Sequence, residues 1–162
     1  MKIIDNFLNK EELLNLQNLY TSNEFPWCYQ AGIDSIDTKR NDFFFCHMLY
    51  NHNIPKSNYF SSIAPIFSKL DNFKSLIRVK ANLTTKKNEN FKAKMHVDTK
   101  IKNSKTAVFY CNTNNGATLF EDGNIITSEE NKIVTFESDR MHCGTDCTNK
   151  NIRIVINFNY LD

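Results

Sequence analysis

The stretch "NIRIVINFNY", residues 151–160, has the alternating pattern of a β-strand with two different faces. Successive side chains of a strand point to opposite faces. One face would be wholly apolar and carry Ile152, Ile154, Ile156 and Phe158. The other face would carry Arg153 together with Val155 and Asn157. This stretch therefore predicts a strand with one face on a hydrophobic core and a cation on the opposite face.

Other segments of the C-terminal half have the same short, alternating and β-branched or aromatic character. They are "SLIRVKANLTT" (75–85), "TAVFYCNT" (106–113), "GATLFED" (116–122) and "NKIVTFES" (131–138). The turn signals "TNNG" and "EDGN" lie between them. Many short antiparallel strands favour a closed or double-sheet barrel of the jelly-roll kind.

The N-terminal half begins with a helix signature in "FLNKEELLNLQNLY", residues 7–20. Asn9 can cap the helix, and Glu12 stands three residues later, as in a capping box. Leu13, Leu16 and Tyr20 then give an apolar stripe at helical spacing. We expect a helix that packs this stripe against the core.

Two further N-terminal segments complete the predicted fold. "NDFFFCHMLYN" (41–51) predicts a buried strand, and "SNYFSSIAPIFSKLDNF" (57–73) predicts a second helix that Pro65 kinks or starts. The expected class is α+β: a double-stranded β-helix (jelly-roll, cupin-like) core with two N-terminal helices packed on one sheet. We expect a single domain over 1–162, with helical support and one or two strands in 1–74 and the jelly-roll core in 75–162.

Composition excludes several classes of function. A chain of 162 residues with 41% hydrophobic residues and 13 Phe can bury a real core. The net charge of +2 gives no strong signal for nucleic acid. There is no long apolar run, and the N-terminus becomes charged early, so we expect neither a membrane span nor a signal peptide. Five scattered Cys indicate free thiols and a cytoplasmic location.

Four histidines are present, and two of them stand in polar settings at predicted strand ends. His47 and His52 are best interpreted as core or rim residues with a hydrogen bond. In "KMHVDTK" (94–100), His96 and Asp98 would point the same way along an extended chain. They could form a hydrogen-bonded pair at a strand end, or they could be two ligands of one metal ion.

The remaining histidine, His142 in "DRMHCGTDC" (139–147), follows the central strands, whereas His96 and Asp98 precede them. A barrel would bring these two ends together. Two imidazoles and one carboxylate leave half of an octahedral metal's positions open, which suits non-haem Fe(II) oxygenases.

Arg153 stands eleven positions after His142 within an otherwise apolar strand. A guanidinium inside a barrel is costly unless it is paired, and no acidic residue lies nearby in sequence. The carboxylate of a ligand would serve, because the planar guanidinium binds a carboxylate with two hydrogen bonds.

This ordered set resembles the Fe(II)/2-oxoglutarate-dependent oxygenase superfamily: His-x-Asp, then a distal His, then an Arg. The segment "NNGATLFEDG" (114–123) is similar to that superfamily's Gly-x-Thr-x-Phe strand and turn, and "IVTFESDRMHCGT" (133–145) resembles the approach to the distal histidine. The resemblance covers roughly residues 75–162. It is closest to the small prolyl-hydroxylase-like oxygenases of marine phages and bacteria, which would place the protein in a host cytoplasm.

The resemblance implies a role for each of these residues. His96, Asp98 and His142 would bind Fe(II), and Arg153 would hold the distal carboxylate of 2-oxoglutarate. O2 would be the second co-substrate. The reaction would hydroxylate a C–H bond of a small molecule or of a prolyl or other protein side chain, releasing succinate and CO2.

Further candidates each have a structural alternative. Tyr110 would be a second contact to 2-oxoglutarate, or a core tyrosine. Asn82 would touch the keto-acid, or lie on a half-solvated strand face. Trp27 and Tyr29 would form an aromatic lip for the substrate with "DSIDTKRND" (34–42) as a lid, or they would be a core anchor before a surface loop.

Three alternatives compete with the oxygenase interpretation, two of them functions and one a different metal site. The barrel could be a non-catalytic ligand-binding protein, or a cupin-like metalloenzyme that does not use 2-oxoglutarate. Arg153 argues against the latter, because a metal alone does not require it. A zinc site from His142, Cys143 and Cys147 is the third, but the C-x3-C spacing with one adjacent His is a poor match to structural zinc sites.

Overall fold

The computed structural model describes residues 1–31, 43–89 and 92–162. Within these ranges the chain forms eleven strands, one twelve-residue helix and one short helical segment. The strands are β1 Lys2–Ile4, β2 Cys28–Ala31, β3 Phe43–Asn51, β4 Ile54–Pro55, β5 Ser75–Thr85, β6 Ser104–Tyr110, β7 Ala117–Phe120, β8 Ile125–Thr127, β9 Lys132–Glu137, β10 His142–Gly144 and β11 Ile152–Leu161. The architecture is mostly antiparallel sheet, consistent with the predicted cupin-like jelly roll.

The first helix, α1, spans Lys10–Thr21 and confirms the predicted cap. The Asn9 side chain accepts a hydrogen bond from the Glu12 amide at 2.9 Å, and the Glu12 carboxylate accepts one from the Asn9 amide at 2.9 Å. Leu16 and Tyr20 are buried in the core. The capping box therefore starts the helix where the apolar stripe begins.

The second predicted helix, over 57–73, is much shorter in the structure. A 3-10 turn covers Phe60–Ile63, and α2 covers only Ala64–Phe67, with Pro65 in its first turn. Proline fits there because its missing N–H would have no partner in a first turn anyway. The expectation of two N-terminal helices is thus not confirmed: one full helix and one helical turn take their place.

The larger sheet is antiparallel throughout and has the order β1-β9-β6-β11-β5-β3-β2, with β4 paired to β3. Its central strand, β11, separates two environments. Ile154, Ile156 and Phe158 join the main core with α1 and the helical turn, as the alternation predicted. On the opposite face, Val155 belongs to a second apolar cluster, and Arg153 and Asn157 line a cleft.

The smaller sheet has the order β10-β7-β8. Phe120 and Ile126 from this sheet pack against Val134 and Phe136 of β9 in the second cluster. The small sheet thus covers part of the larger sheet's second face. The rest of that face is left open as the cleft that carries Arg153.

No helix in the described ranges is both long and apolar enough to span a membrane.

Candidate metal centre and adjoining cleft

The main chain brings together His96 and His142, the two histidines that stand in polar settings in the sequence. His96 and His142 form an antiparallel bridge, with N···O distances of 2.9 and 3.0 Å between their backbone groups. The two rings lie with centroids 4.8 Å apart. Directly paired strand residues project side by side, so this bridge places both imidazoles at one point.

The carboxylate joins them because the chain stays extended beyond the bridge. The Asp98 amide donates to the Ser138 carbonyl at 3.2 Å, and the Asp98 side chain is only 4% exposed. Asp98 Oδ2 lies 3.6 Å from His142 Nε2, and Asp98 Oδ1 lies 4.0 Å from His96 Nε2. The three side chains predicted as ligands therefore converge.

Each imidazole is oriented by a backbone carbonyl two residues earlier. His96 Nδ1 lies 3.1 Å from the Lys94 carbonyl, and His142 Nδ1 lies 2.9 Å from the Arg140 carbonyl. Because a carbonyl only accepts, Nδ1 carries the proton in both rings. In the neutral ring, Nε2 then carries the free electron pair, and in both residues Nε2 faces Asp98. A carbonyl on the second nitrogen is the usual way in which proteins orient metal-binding histidines.

The spacing of these atoms fits a metal ion. One ligand atom from each of the three residues lies within 4.8 Å of the others, and no other such group occurs in the described residues. Ligands about 2.1 Å from an ion in adjacent octahedral positions lie about 3 Å apart, so a small contraction completes the site. Burial lowers the pKa of His142, which favours the neutral ring that ligates metals.

A closed ring of hydrogen bonds holds the carboxylate. Arg78 Nη2 donates to Asp98 Oδ1 at 3.2 Å, and Thr106 Oγ1 donates to Asp98 Oδ2 at 2.8 Å. Asn159 closes the ring, because its amide accepts from Arg78 Nε at 3.1 Å and donates to Thr106 Oγ1 at 2.9 Å. Both carboxylate oxygens are thus fixed by residues of three neighbouring strands.

The guanidinium of Arg153 lies buried at the other end of the cleft. Its Nε donates to Ser128 Oγ at 2.8 Å, and its Nη2 lies 3.4 Å from the Ala117 carbonyl. Neither acceptor carries a charge. Burial lowers the pKa of Arg153, but a guanidinium stays protonated in proteins. The site therefore holds a desolvated positive charge beside a cleft.

The Gly-x-Thr-x-Phe segment supports both ends of the site. A Cβ at Gly116 would lie 2.6 Å from Arg153 Cδ, so only glycine leaves room for the arginine. Thr118 accepts a hydrogen bond from the Tyr110 hydroxyl at 2.8 Å. The Phe120 ring lies 6.0 Å from His142. This segment therefore shapes the site without supplying a ligand.

Replacing Gly116 with alanine is expected to displace the Arg153 side chain and to weaken 2-oxoglutarate binding by about tenfold. Arg153 would lose its alignment, and a charged hydrogen bond is worth about that factor. Calorimetric titration of the metal-loaded protein measures the change. Metal affinity should stay as in the wild type, because Gly116 does not touch the triad. A variant that binds 2-oxoglutarate normally would contradict this role for the glycine.

The cleft has a volume of about 560 Å3 and connects the two ends. Besides Arg153 and the triad's His96 and Asp98, its wall includes Asn82, Thr84 and Asn157. Asn82 Oδ1, Thr84 Oγ1 and Asn157 Oδ1 are buried and make no hydrogen bond with any described residue. Unpaired buried polar atoms are costly. The Thr84 hydroxyl can donate to an anionic ligand beside the guanidinium, whereas the two amide oxygens would accept from a donor.

Other predicted site residues are placed elsewhere. The buried Tyr110 ring lies 5.9 Å from the Arg153 guanidinium carbon, with its hydroxyl on Thr118, and it does not line the cleft. Trp27 packs at the edge of the main core and donates to the Tyr20 carbonyl at 3.1 Å. Tyr29 is 60% exposed and stands outside the cleft wall.

The predicted lid, 34–42, lies outside the described residues. The thiols that a zinc site would need are both buried, and Cys147 Sγ lies 3.3 Å from the Lys150 carbonyl. They do not join His142 in a group of metal-binding spacing within the described residues.

Some residues of the candidate site were not singled out from the sequence. They are Thr84, Thr106, Asn157, Asn159 and, as a partner of Asp98, Arg78. The available signal was polarity on one face of a strand. Asn157 follows Arg153 and Val155 at every second position of β11 and therefore lies on the same face. The clue was therefore a polar residue, Asn157, on the same strand face as Arg153.

Comparison with solved structures identifies the fold. A 2OG-Fe(II) oxygenase family oxidoreductase from Burkholderia pseudomallei matches with a TM-score of 0.69 and 9% identity over 98% of this chain and 84% of that one. The α-ketoglutarate-dependent epimerase SnoN of nogalamycin biosynthesis matches with a TM-score of 0.68 and 11% identity over 99% and 76%.

A prolyl hydroxylase from Trichoplax adhaerens, in complex with a hypoxia inducible factor peptide fragment, matches with a TM-score of 0.56 and 16% identity over 99% and 83%. No protein-family model and no curated protein matches the sequence. The chain therefore has the fold of the 2-oxoglutarate- and Fe(II)-dependent oxygenases, and the predicted resemblance is confirmed at the level of the fold.

Proposed function

We propose that this protein is an Fe(II)- and 2-oxoglutarate-dependent dioxygenase that hydroxylates a C–H bond. One observation carries the proposal: a two-histidine, one-carboxylate cluster and a buried guanidinium stand at two ends of one cleft. A metal-only cupin has no use for the guanidinium, and a simple anion-binding protein has no use for the triad. The fold is that of enzymes that use both.

The residues divide the binding of the two cofactors between them. Nε2 of His96, Nε2 of His142 and a carboxylate oxygen of Asp98 would hold the iron. Bound iron and 2-oxoglutarate supply oxidative decarboxylation with O2, which yields succinate, CO2 and an oxidant for the substrate. The chain's own contribution is orientation: the hydrogen-bonded ring fixes Asp98, and two carbonyls fix the imidazoles.

Arg153 would bind the distal carboxylate of 2-oxoglutarate, and its Nη atoms are the groups available for a two-point contact. Thr84 lies opposite Arg153 on the neighbouring strand and has an unpaired hydroxyl that could donate to the same carboxylate. Asn82, two pairs further along β5, would contact the co-substrate closer to the metal through its side-chain amide. In this arrangement Tyr110 supports Arg153 through its ring, while its hydroxyl stays on Thr118.

We propose further that one domain over 1–162 carries this activity. Support comes from the main core, which joins Leu16 and Tyr20 of the N-terminal helix with Ile154 and Phe158 of the last strand. The prime substrate would be a small molecule or a protein side chain such as proline. The prolyl hydroxylase match is a precedent for a peptide substrate. The epimerase match is a precedent for a reaction other than hydroxylation on this fold.

Co-substrate chelation gives the decisive experiment. Under anaerobic conditions, Fe(II) and 2-oxoglutarate together should produce the weak visible charge-transfer band of a chelated keto-acid. Neither component alone should produce it. With oxygen, slow formation of succinate should follow even without the prime substrate. Absence of both the band and succinate would refute the proposal.

A further inference from the structure

Lys80 is one of four cationic side chains that line the cleft, with Arg78, Lys94 and Arg153, and it has no role in the proposed binding of metal and co-substrate. Lys80 is half-buried and lines the cleft. Its ammonium lies 5.5 Å from the centre of the Phe44 ring. Within the described residues it makes no hydrogen bond and no ion pair. Burial lowers the pKa of this ammonium, because the charged form has lost water. Cys46 and Asp98 lie close enough to raise its pKa, and Arg78 lies close enough to lower it.

Lys80 is separate from the guanidinium that would bind 2-oxoglutarate. Arg153 is on β11, whereas the ammonium of Lys80 rests over Phe44 of β3, two strands away across β5. Lys80 itself stands on β5 opposite Asn157, whereas Arg153 stands opposite Thr84, four residues further along β5. The two backbone positions are therefore about 13 Å apart along the strands. The cleft of about 560 Å3 has room for a second ligand beside a small keto-acid.

The surroundings of Lys80 favour a ligand that has both a charged part and an apolar part. Phe44 offers an aromatic face at one side. Asn157 is paired with Lys80 in the sheet, and its side-chain amide oxygen is buried without a hydrogen-bond partner in the described residues, so it could accept from a donor group of the ligand. A partly desolvated ammonium gains most from an anionic partner, and a carboxylate accepts a charge-assisted hydrogen bond from lysine.

We propose that Lys80 binds a carboxylate of the prime substrate, whose apolar part lies along Phe44. This inference rests on the proposed function and names the substrate class: an organic acid, free or as an acidic side chain of a peptide. The substrate's carboxylate would fix its position, and its apolar part would bring a C–H bond towards the triad.

Acid and amide forms of one probe test this directly. The protein is loaded with zinc and saturating 2-oxoglutarate, and phenylacetate and phenylacetamide are titrated by calorimetry. We expect phenylacetate to bind the wild type at least about tenfold more tightly, which corresponds to one charged hydrogen bond. Lys80→Met keeps the aliphatic stem and should reduce this preference to less than about twofold. Lys102→Met, which removes an exposed charge, should leave it intact.

A blocked tripeptide with central glutamate, compared with its glutamine form, separates the two sources of the acid. Preference for the glutamate peptide assigns an acidic side chain, and preference confined to phenylacetate assigns a free acid. Equal binding of acid and amide in the wild type, or no binding of any acid, would overturn the proposal. So would a Lys80→Met variant whose 2-oxoglutarate affinity falls tenfold, because Lys80 would then hold the co-substrate.

The two proposals fail separately. A wild type without the charge-transfer band refutes co-substrate chelation, whatever the acid probes do. A wild type that forms the band but does not distinguish acid from amide refutes only the role of Lys80.

Discussion

Replacing His142 with alanine is expected to weaken metal binding by more than about 100-fold and to abolish succinate formation. Loss of an outer-shell partner alone typically costs 10- to 100-fold, and His142 is a direct ligand in the proposed site. Its Nε2 faces Asp98 at 3.6 Å, and the ring is buried between Phe120 and Phe136. Metal analysis after desalting, together with anaerobic Fe(II) titration, measures the effect.

A matched control separates this loss from general damage. His52→Asn also removes an imidazole, but at an exposed position whose left-handed backbone asparagine tolerates. It should retain iron and activity. An H142A protein that folds, as judged by circular dichroism, and still retains one iron per chain would contradict the proposed metal centre.

Replacing Arg153 with leucine is expected to leave iron bound and to raise the dissociation constant for 2-oxoglutarate by about 100-fold. Truncating one partner of a buried, hydrogen-bonded charge pair costs about 2–5 kcal/mol, and 100-fold corresponds to about 2.7 kcal/mol. The charge-transfer band, titrated with 2-oxoglutarate, reports the change. Arg153→Lys keeps the charge without the planar donor pair and should fall between the two.

The same substitution should change the stability of the fold only slightly. Arg153 is a desolvated cation that donates to two neutral acceptors, Ser128 and the Ala117 carbonyl, and the buried carboxylate of Asp146 lies close enough to raise its pKa. Leucine removes the desolvation cost of the cation but also the charge that faces Asp146, so the free energy of unfolding should change by no more than about 1 kcal/mol. Chemical denaturation measures it. Normal 2-oxoglutarate affinity in R153L would contradict the role assigned to the guanidinium.

The sequence indicated the candidate ligand set through local signals and through the resemblance to the oxygenase superfamily. His96 and Asp98 share parity along an extended segment, and Arg153 is a cation in an apolar strand. The ring around Asp98 could not be predicted in the same way. It joins Arg78, Thr106 and Asn159 across separations of 53 and 81 residues, so it depends on strand register.

The failure over 57–73 has a different cause. The helical spacing rested on Phe60, Ile63, Phe67 and Leu70. Ile63 and Leu70 are buried, and Phe60 and Phe67 pack against the core while partly exposed, so the spacing identified a packing face; the buried Ile66 was not part of it. That spacing does not require continuous helical hydrogen bonds, and a 3-10 turn followed by one α-turn satisfies it. Strands β8 and β10 escaped prediction because three residues are too few to show alternation.

The main-chain pairing of His96 with His142 has a consequence for the protein without its ion. The segment that carries His96 and Asp98 is attached to the barrel by isolated bridges, at Lys92–Thr145 and His96–His142, rather than by a regular strand. An ion bound there would cross-link it to β10. Iron loading should therefore slow proteolytic cutting near residue 96, so that resistance to protease reports the filling of the site before any turnover begins.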